Sequence, residues 1–209
     1  KENRGNIHGG YGRVKRIGIF GGTFNPPHLA HSRLAEEVRK SLKLDKIIIV
    51  PSAVPPLKSG KEVIEIKHRL AMAEIAFGKS PNFEISDIEI KRSKIKSYTI
   101  DTLIKLNKKN ESEAVKFYLI LGTDSLIDFP KWKTPERLFD YAEVVVINRP
   151  GYKKSDIRPE YSERALFLKV RPMDISSSKI REYVRSNKPI SSLVLPEIEK
   201  YIEQNKLYK

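Results

Sequence analysis

The residues Gly21-Gly22-Thr23-Phe24-Asn25-Pro26-Pro27-His28-Leu29-Ala30-His31 set two imidazoles three positions apart, beside paired glycines and a threonine. Two of the chain's four histidines fall in this one turn. The glycines let the backbone approach a ligand closely, and Pro26 and Pro27 stiffen the turn. If a helix begins at His28, both rings project from one side of its first turn. Helix N-termini favour anions, so the arrangement predicts a site for phosphate oxygens. The plainer reading is a common strand-to-helix turn whose histidines are ordinary polar residues.

A second stretch, Ile175-Ser176-Ser177-Ser178-Lys179-Ile180-Arg181, lies far downstream and precedes the apolar spacing Ile180, Tyr183, Val184. It implies another helix start. Its hydroxyls can cap backbone N–H groups and donate to phosphate, while Lys179 and Arg181 bring positive charge. Read alone, Ser176 is an ordinary N-cap and the two cations are solvated. Paired with the first motif, the stretch reads as the other half of a phosphate site.

A Gly-Thr-Phe-x-Pro-x-His-x-x-His turn combined with a later Ile-Ser-Ser-Ser-x-Ile-Arg resembles the nucleotidyltransferase superfamily. Within it the chain is most similar to the bacterial nicotinate-nucleotide adenylyltransferases, over about Val14 to Tyr208. Segments fitting that subfamily are Pro51–Lys58, Arg69-Leu70-Ala71-Met72, Ser97–Leu103, Leu121-Gly122-Thr123-Asp124, Trp132, Val194-Leu195-Pro196, Tyr201-Ile202 and Leu207-Tyr208. Three positions depart from the family pattern. Ala30 replaces the usual glycine between the histidines, Asn25 a frequent aspartate, and Leu57 a common histidine.

The resemblance implies transfer of the adenylyl group of ATP to nicotinate mononucleotide, giving deamido-NAD and pyrophosphate. It implies that His28 and His31 hold the triphosphate and the charge developing at the reacting centre. Thr23 orients the phosphates, Gly21, Gly22 and Phe24 belong to the phosphate turn, and Lys58 assists the incoming phosphate. Ser177, Ser178 and Arg181 grip pyrophosphate. Trp132 stacks on the pyridine ring, Thr99 offers its N–H to the nicotinate carboxylate, and Asp124 meets a ribose. Each of these three also has a plain reading, Trp132 as core and the others as helix-cap residues. The sequence shows no carboxylate cluster, so Mg²⁺ is expected to arrive with ATP rather than at a protein metal site.

These residues need a scaffold, and the chain alternates strand and helix throughout. The pattern predicts strands Arg16–Phe20, Lys46–Val50, Phe83–Ile90, Phe117–Leu121, Val144–Ile147 and Leu166–Val170. Between them it predicts helices His28–Leu42, Glu65–Phe77 and Tyr98–Lys108, a short helical stretch bearing Trp132, and an Arg149–Glu160 loop, with two helices after the last strand. Such alternation is the mark of an α/β fold with a doubly wound, mostly parallel sheet, of the Rossmann-like nucleotidyltransferase type. Ligands bind such sheets at strand C-terminal ends where the order reverses, which lets the two phosphate motifs meet.

Length and composition agree. At 209 residues the chain suits one well-buried domain, read as 14–209 behind a mobile basic N-terminal tail at 1–13. It has no Cys, which excludes disulfides and thiolate metal sites. No apolar run reaches the length of a membrane span, and the start lacks the apolar core of a secretory signal, so the expectation is cytoplasmic. A net charge of +14 invites nucleic acid as a partner, but acidic residues such as Glu36, Glu37, Glu197 and Glu199 interrupt the cations. The expected partners are therefore ATP and nicotinate mononucleotide, not nucleic acid or a membrane, and a homo-oligomer is compatible. The rival readings are a pantetheine-phosphate adenylyltransferase, a class I aminoacyl-tRNA synthetase, for which the chain has no room, and a nucleic-acid-binding module, which leaves the histidines unexplained.

Overall fold

The computed structural model describes residues 13–55, 63–92, 96–148, 151, 153–171 and 173–209. Lys58, Leu57 and most of the basic tail lie outside them. Six strands form one sheet: β1 (Lys15–Gly22), β2 (Lys46–Pro51), β3 (Phe83–Ile85), β4 (Val115–Gly122), β5 (Glu143–Ile147) and β6 (Leu166–Leu168). The order is β3-β2-β1-β4-β5-β6 and every pairing is parallel, as a doubly wound sheet requires. The order reverses between β1 and β4.

Period-2 side chains from the central strands feed two cores. Ile17 and Ile19 of β1 and Phe117, Leu119 and Leu121 of β4 face one side. There they meet Ile100, Leu103 and Leu106 of α3 (Thr99–Lys109), Leu126 of α4 (Thr123–Ile127) and Leu138 of α5 (Leu138–Tyr141), with Tyr161 of the short helix α6 (Pro159–Ser162). Phe20, Tyr118 and Ile120 face the other, against Ala35 and Val38 of α1 (Leu29–Ser41) and Ala73 and Phe77 of α2 (Ile66–Phe77). A third cluster joins Met72 of α2 to Ile180 of α7 (Ser177–Arg185), Ile198 and Ile202 of α8 (Pro196–Gln204) and Leu207. That cluster brings the end of the sequence beside the first strand's loop.

Several boundaries differ from expectation by a residue or two, and four stretches differ for a local reason. β3 stops at Ile85 instead of reaching Ile90. Its neighbour β2 ends in Pro51, which has no N–H to extend the ladder, and the Ser86 hydroxyl takes the Ile88 N–H instead. β6 ends at Leu168, not Val170, because β5 ends opposite it at Ile147. Trp132 is not helical; it follows a 3-10 turn at Phe129–Lys131 and has extended backbone. The expected Arg149–Glu160 loop contains a 3-10 turn at Lys154–Asp156 and the start of α6. Among the described residues no helix is long and apolar enough to cross a membrane.

Candidate active site

A cavity of about 490 Å³ opens at the carboxyl edge of the sheet, over the crevice between β1 and β4. Its lining includes Gly21, Gly22, Thr23, Phe24, His28 and His31 from the loop after β1 and the start of α1. Ser177, Ser178 and Arg181 enter from α7, and Thr99, Asp124 and Trp132 from the far side. Every described residue to which the resemblance gives a role therefore reaches one cavity.

The histidine pair is built differently from two side chains of one helical turn. His28 is the N-cap of α1, with extended backbone at φ −147° and ψ 170°, and the helix begins at Leu29. Its N–H donates to Nδ1 of His31 at 3.2 Å, in the manner of a capping box. The rings stack with centroids 3.7 Å apart. An Nδ1 that accepts leaves the neutral ring's proton on Nε2, so His31 offers that nitrogen as a donor. Phe24 fixes the pair from below, edge-on to His31 at 5.3 Å.

Phe24 is 2% exposed and packs on Phe20 and Phe77, so it acts as the floor of the turn. Its backbone sits at φ +47°, which costs an L residue on the order of 1–3 kcal/mol. The neighbouring glycines serve two different ends. A Cβ on Gly22 would come within 2.9 Å of the Phe24 ring, whereas one on Gly21 would meet nothing and project into open space. Gly21 thus presents bare backbone, as close approach of a phosphate requires.

α7 ties the second motif onto the first. Ser176 is the ordinary N-cap, accepting from the Lys179 N–H at 3.2 Å. Ser177 Oγ donates to the Pro26 carbonyl at 2.8 Å. Arg181, buried, donates through Nη1 to the Asn25 carbonyl at 3.0 Å and through Nη2 to Ser178 Oγ at 3.3 Å. Lys179 instead pairs with Asp174, whose carboxylate raises its pKa. It is the solvated cation of the plain reading.

Arg69 is the residue whose importance was not legible. Only 1% exposed, it donates to the carbonyls of Thr23, Ser52, Ala53 and Ile64. Burial depresses its pKa to about 10. It joins the loops after β1 and β2 to the start of α2. It stands in the Arg69-Leu70-Ala71-Met72 segment that fits the subfamily, but its role shows there only as a charge on the helix face that also carries Met72 and Ala73. Ser97 does similar work, its hydroxyl accepting from the N–H groups of Ala53 and Val54 at 3.0 and 3.3 Å.

On the opposite wall, Tyr98 caps α3 and Thr99 is its first residue, so the helix's positive end faces the cavity. Lys133 donates to both oxygens of Asp101 at 3.0 and 3.2 Å and lies over the Tyr98 ring. These contacts pin the Trp132 turn to α3. The half-buried Trp132 ring leans on Phe129, with centroids 4.9 Å apart, while still lining the cavity. This tryptophan therefore packs on the core and lines the cavity at once. Glu89, buried in the same lining, accepts from the Thr102 hydroxyl at 2.8 Å. Among the described residues no three His, Cys, Asp or Glu side chains gather as a metal cage.

Known proteins are similar to this chain in sequence and in fold. The Cytidylyltransferase-like family model matches residues 19–183. A protein of Roseiflexus sp. (strain RS-1), named probable nicotinate-nucleotide adenylyltransferase, is 40% identical over 198 residues, covering 92% of this chain and 98% of its own. One of the same name from Clostridium acetobutylicum is 39% identical, covering 93% of this chain and all of its own. In structure, the Plasmodium falciparum nicotinic acid mononucleotide adenylyltransferase complexed with NaAD is similar with a TM-score of 0.77. It covers 93% of this chain and 97% of its own at 23% identity, a likeness of fold.

Proposed function

The chain belongs to the nicotinate-nucleotide adenylyltransferases of the cytidylyltransferase-like family, and we propose that the β1/β4 crevice is where it performs that reaction. It is an enzyme of NAD biosynthesis that transfers the adenylyl group of ATP to nicotinate mononucleotide, giving deamido-NAD and pyrophosphate. The assignment of its parts rests above all on one observation: two phosphate-type motifs, far apart in sequence, line a single cavity opposite a helix N-terminus and a tryptophan.

The acceptor's phosphate is already an anionic nucleophile, so no side chain needs to deprotonate it. An oxygen of that phosphate attacks the α-phosphorus of ATP, the new P–O bond forms, and the bond from the α-phosphorus to its bridging oxygen breaks in line. The protein's task is positioning and charge stabilisation. His31 Nε2 and the His28 ring face the transferred group, and the bare backbone at Gly21 with Thr23 orients the phosphates. Arg181, Ser177 and Ser178 receive the pyrophosphate, and Lys58 assists the incoming phosphate. The N-terminus of α3 at Thr99 takes the nicotinate carboxylate, Trp132 stacks on the pyridine, and Asp124 accepts from a ribose hydroxyl.

The donor set on the phosphate side is N–H, hydroxyl and guanidinium, which suits anions and not a cation. Mg²⁺ would therefore arrive with ATP and not at a protein site, and would supply charge neutralisation there. We read residues 14–209 as one domain, which the single sheet supports. Absence of a nucleic-acid role is supported by exposed cations that pair with acids, as in Arg33–Glu37, Lys46–Glu84 and Lys79–Glu197.

Pyrophosphate release from ATP, measured with nicotinate mononucleotide, nicotinamide mononucleotide or phosphopantetheine as acceptor, tests the reading. Turnover should be fastest with the nicotinate compound. Preferred turnover of phosphopantetheine would overturn it in favour of the rival adenylyltransferase.

A further inference from the structure

Tyr208 lies beyond α8 and does not line the cavity, yet its hydroxyl donates to Asn25 Oδ1 at 3.1 Å, across 183 residues. Asn25 is 4% exposed and sits three residues before His28. Its side-chain oxygen also accepts from the Ile64 N–H at 3.4 Å, and its main-chain oxygen from Arg181 at 3.0 Å. The next carbonyl, that of Pro26, takes Ser177. The turn that presents the histidines is thus held from three directions, and Tyr208 is the side-chain hold that does not line the cavity.

Backbone strain marks the same place. Phe24 at φ +47° and Tyr208 at φ +66° are aromatic residues in the left-handed region, one preceding Asn25 in the chain and the other bonded to its side chain. Such conformations persist only where the surroundings over-determine them. Leu207 supplies the anchor for Tyr208: it is buried in the cluster with Met72 and Ile180, and its N–H bonds the Ile202 carbonyl at 3.0 Å. Burial pushes the Tyr208 hydroxyl above the ordinary phenol range, against the pull of Arg181 and Arg69, so it stays a protonated donor.

We propose that Tyr208 is a positioning residue for adenylyl transfer, holding the Asn25–Pro26 turn so that His28 and His31 meet the reacting phosphate at the right distance. The proposal rests on the functional reading above. Because a displacement well under a bond length at a reacting centre is felt in the chemical step, the loss should appear in kcat more than in KM.

Tyr208→Phe deletes only the donor, and Tyr208→Leu deletes donor and ring. Both should lower kcat about tenfold at a temperature where circular dichroism shows them folded, with KM for ATP and acceptor changed less than about twofold. Asn25→Ala should lose at least as much, and adding Tyr208→Phe to it should lose nothing more, since the two act as one unit. Histidine ring resonances give a readout independent of turnover: Tyr208→Phe should move the signals of His28 and His31 and leave that of His68 in place. Folded variants with wild-type kcat, losses that multiply independently, or unmoved His28 and His31 resonances would each overturn the proposal. Absence of pyrophosphate release by the wild-type protein would instead sink the functional reading, and the resonance test would still decide the role of Tyr208.

Discussion

His31 holds its Nδ1 against the His28 N–H, which commits Nε2 to whatever occupies the cavity. Removing one positioned donor from a developing charge typically costs two to three orders of magnitude, so His31→Ala should lower kcat on the order of a hundredfold while the chain stays folded. Steady-state pyrophosphate release checks this, and near-wild-type turnover would remove His31 from the mechanism. Arg69 carries the opposite expectation. Arg69→Ala strands buried carbonyls of Thr23, Ser52, Ala53 and Ile64, and each orphaned group costs roughly 1–3 kcal/mol before water compensates. A net loss of about 3 kcal/mol corresponds to a fall in Tm of roughly 6–12 °C for a domain of this size. Calorimetry showing a shift under about 2 °C would refute the stapling role. These two residues also mark what the sequence discloses at this scale. His31, Ser177 and Arg181 were legible because they stand in recognisable patterns, a paired-histidine turn and a serine-rich helix start. Arg69 and Tyr208 stand in segments that fit the subfamily, yet their partners are the protein's own backbone or one buried amide, and nothing near them in sequence announces those partners.

At the scale of elements, the proposed function makes the start of α3 the place where acid and amide acceptors would be told apart. A carboxylate accepts N–H groups at a helix's positive end, whereas an amide turns an NH₂ toward them. Thr99→Pro tests this without disturbing the helix, since proline is favoured at the first helical position and Tyr98 before it is already extended. Discrimination between nicotinate and nicotinamide mononucleotides, measured as the ratio of kcat/KM and reaching roughly 10⁴ in such mismatches, should fall at least tenfold. An unchanged ratio would place carboxylate recognition elsewhere. Trp132→Ala should weaken both acceptors alike, because stacking ignores the ring substituent; a loss confined to one of them would count against stacking. The alternation that placed α3 and the six strands was legible because hydrophobic period is local. The ends were less so. His28 outside its helix depends on the His31 ring, β3's early stop depends on Pro51 of another strand, and the Trp132 turn depends on Lys133 reaching Asp101.

For the whole molecule, the expected doubly wound sheet is realised with every strand parallel, which sets the switch point under the cavity. The surface pairs contribute little, about 0–1 kcal/mol each where exposed, so stability rests on the three apolar clusters. The Ser177–Pro26 and Arg181–Asn25 bonds join segments separated by 151 and 156 residues. A nucleotide seated between those segments is a reversible crosslink, closing from outside the same long loop that these bonds close from within. It binds only the folded chain and so raises stability by mass action, about 2.7 kcal/mol at a hundredfold excess over Kd. That protection should be uneven. Amide exchange in α7 should slow most on adding ATP, and exchange at the distant edge strand β6 least; equal slowing throughout would mean that the nucleotide does not bridge the two segments. A chain whose ends are fastened together by its own reactant is at its loosest between turnovers, and an inhibitor that spanned the same gap would act as a clamp on the fold as much as a block on the chemistry.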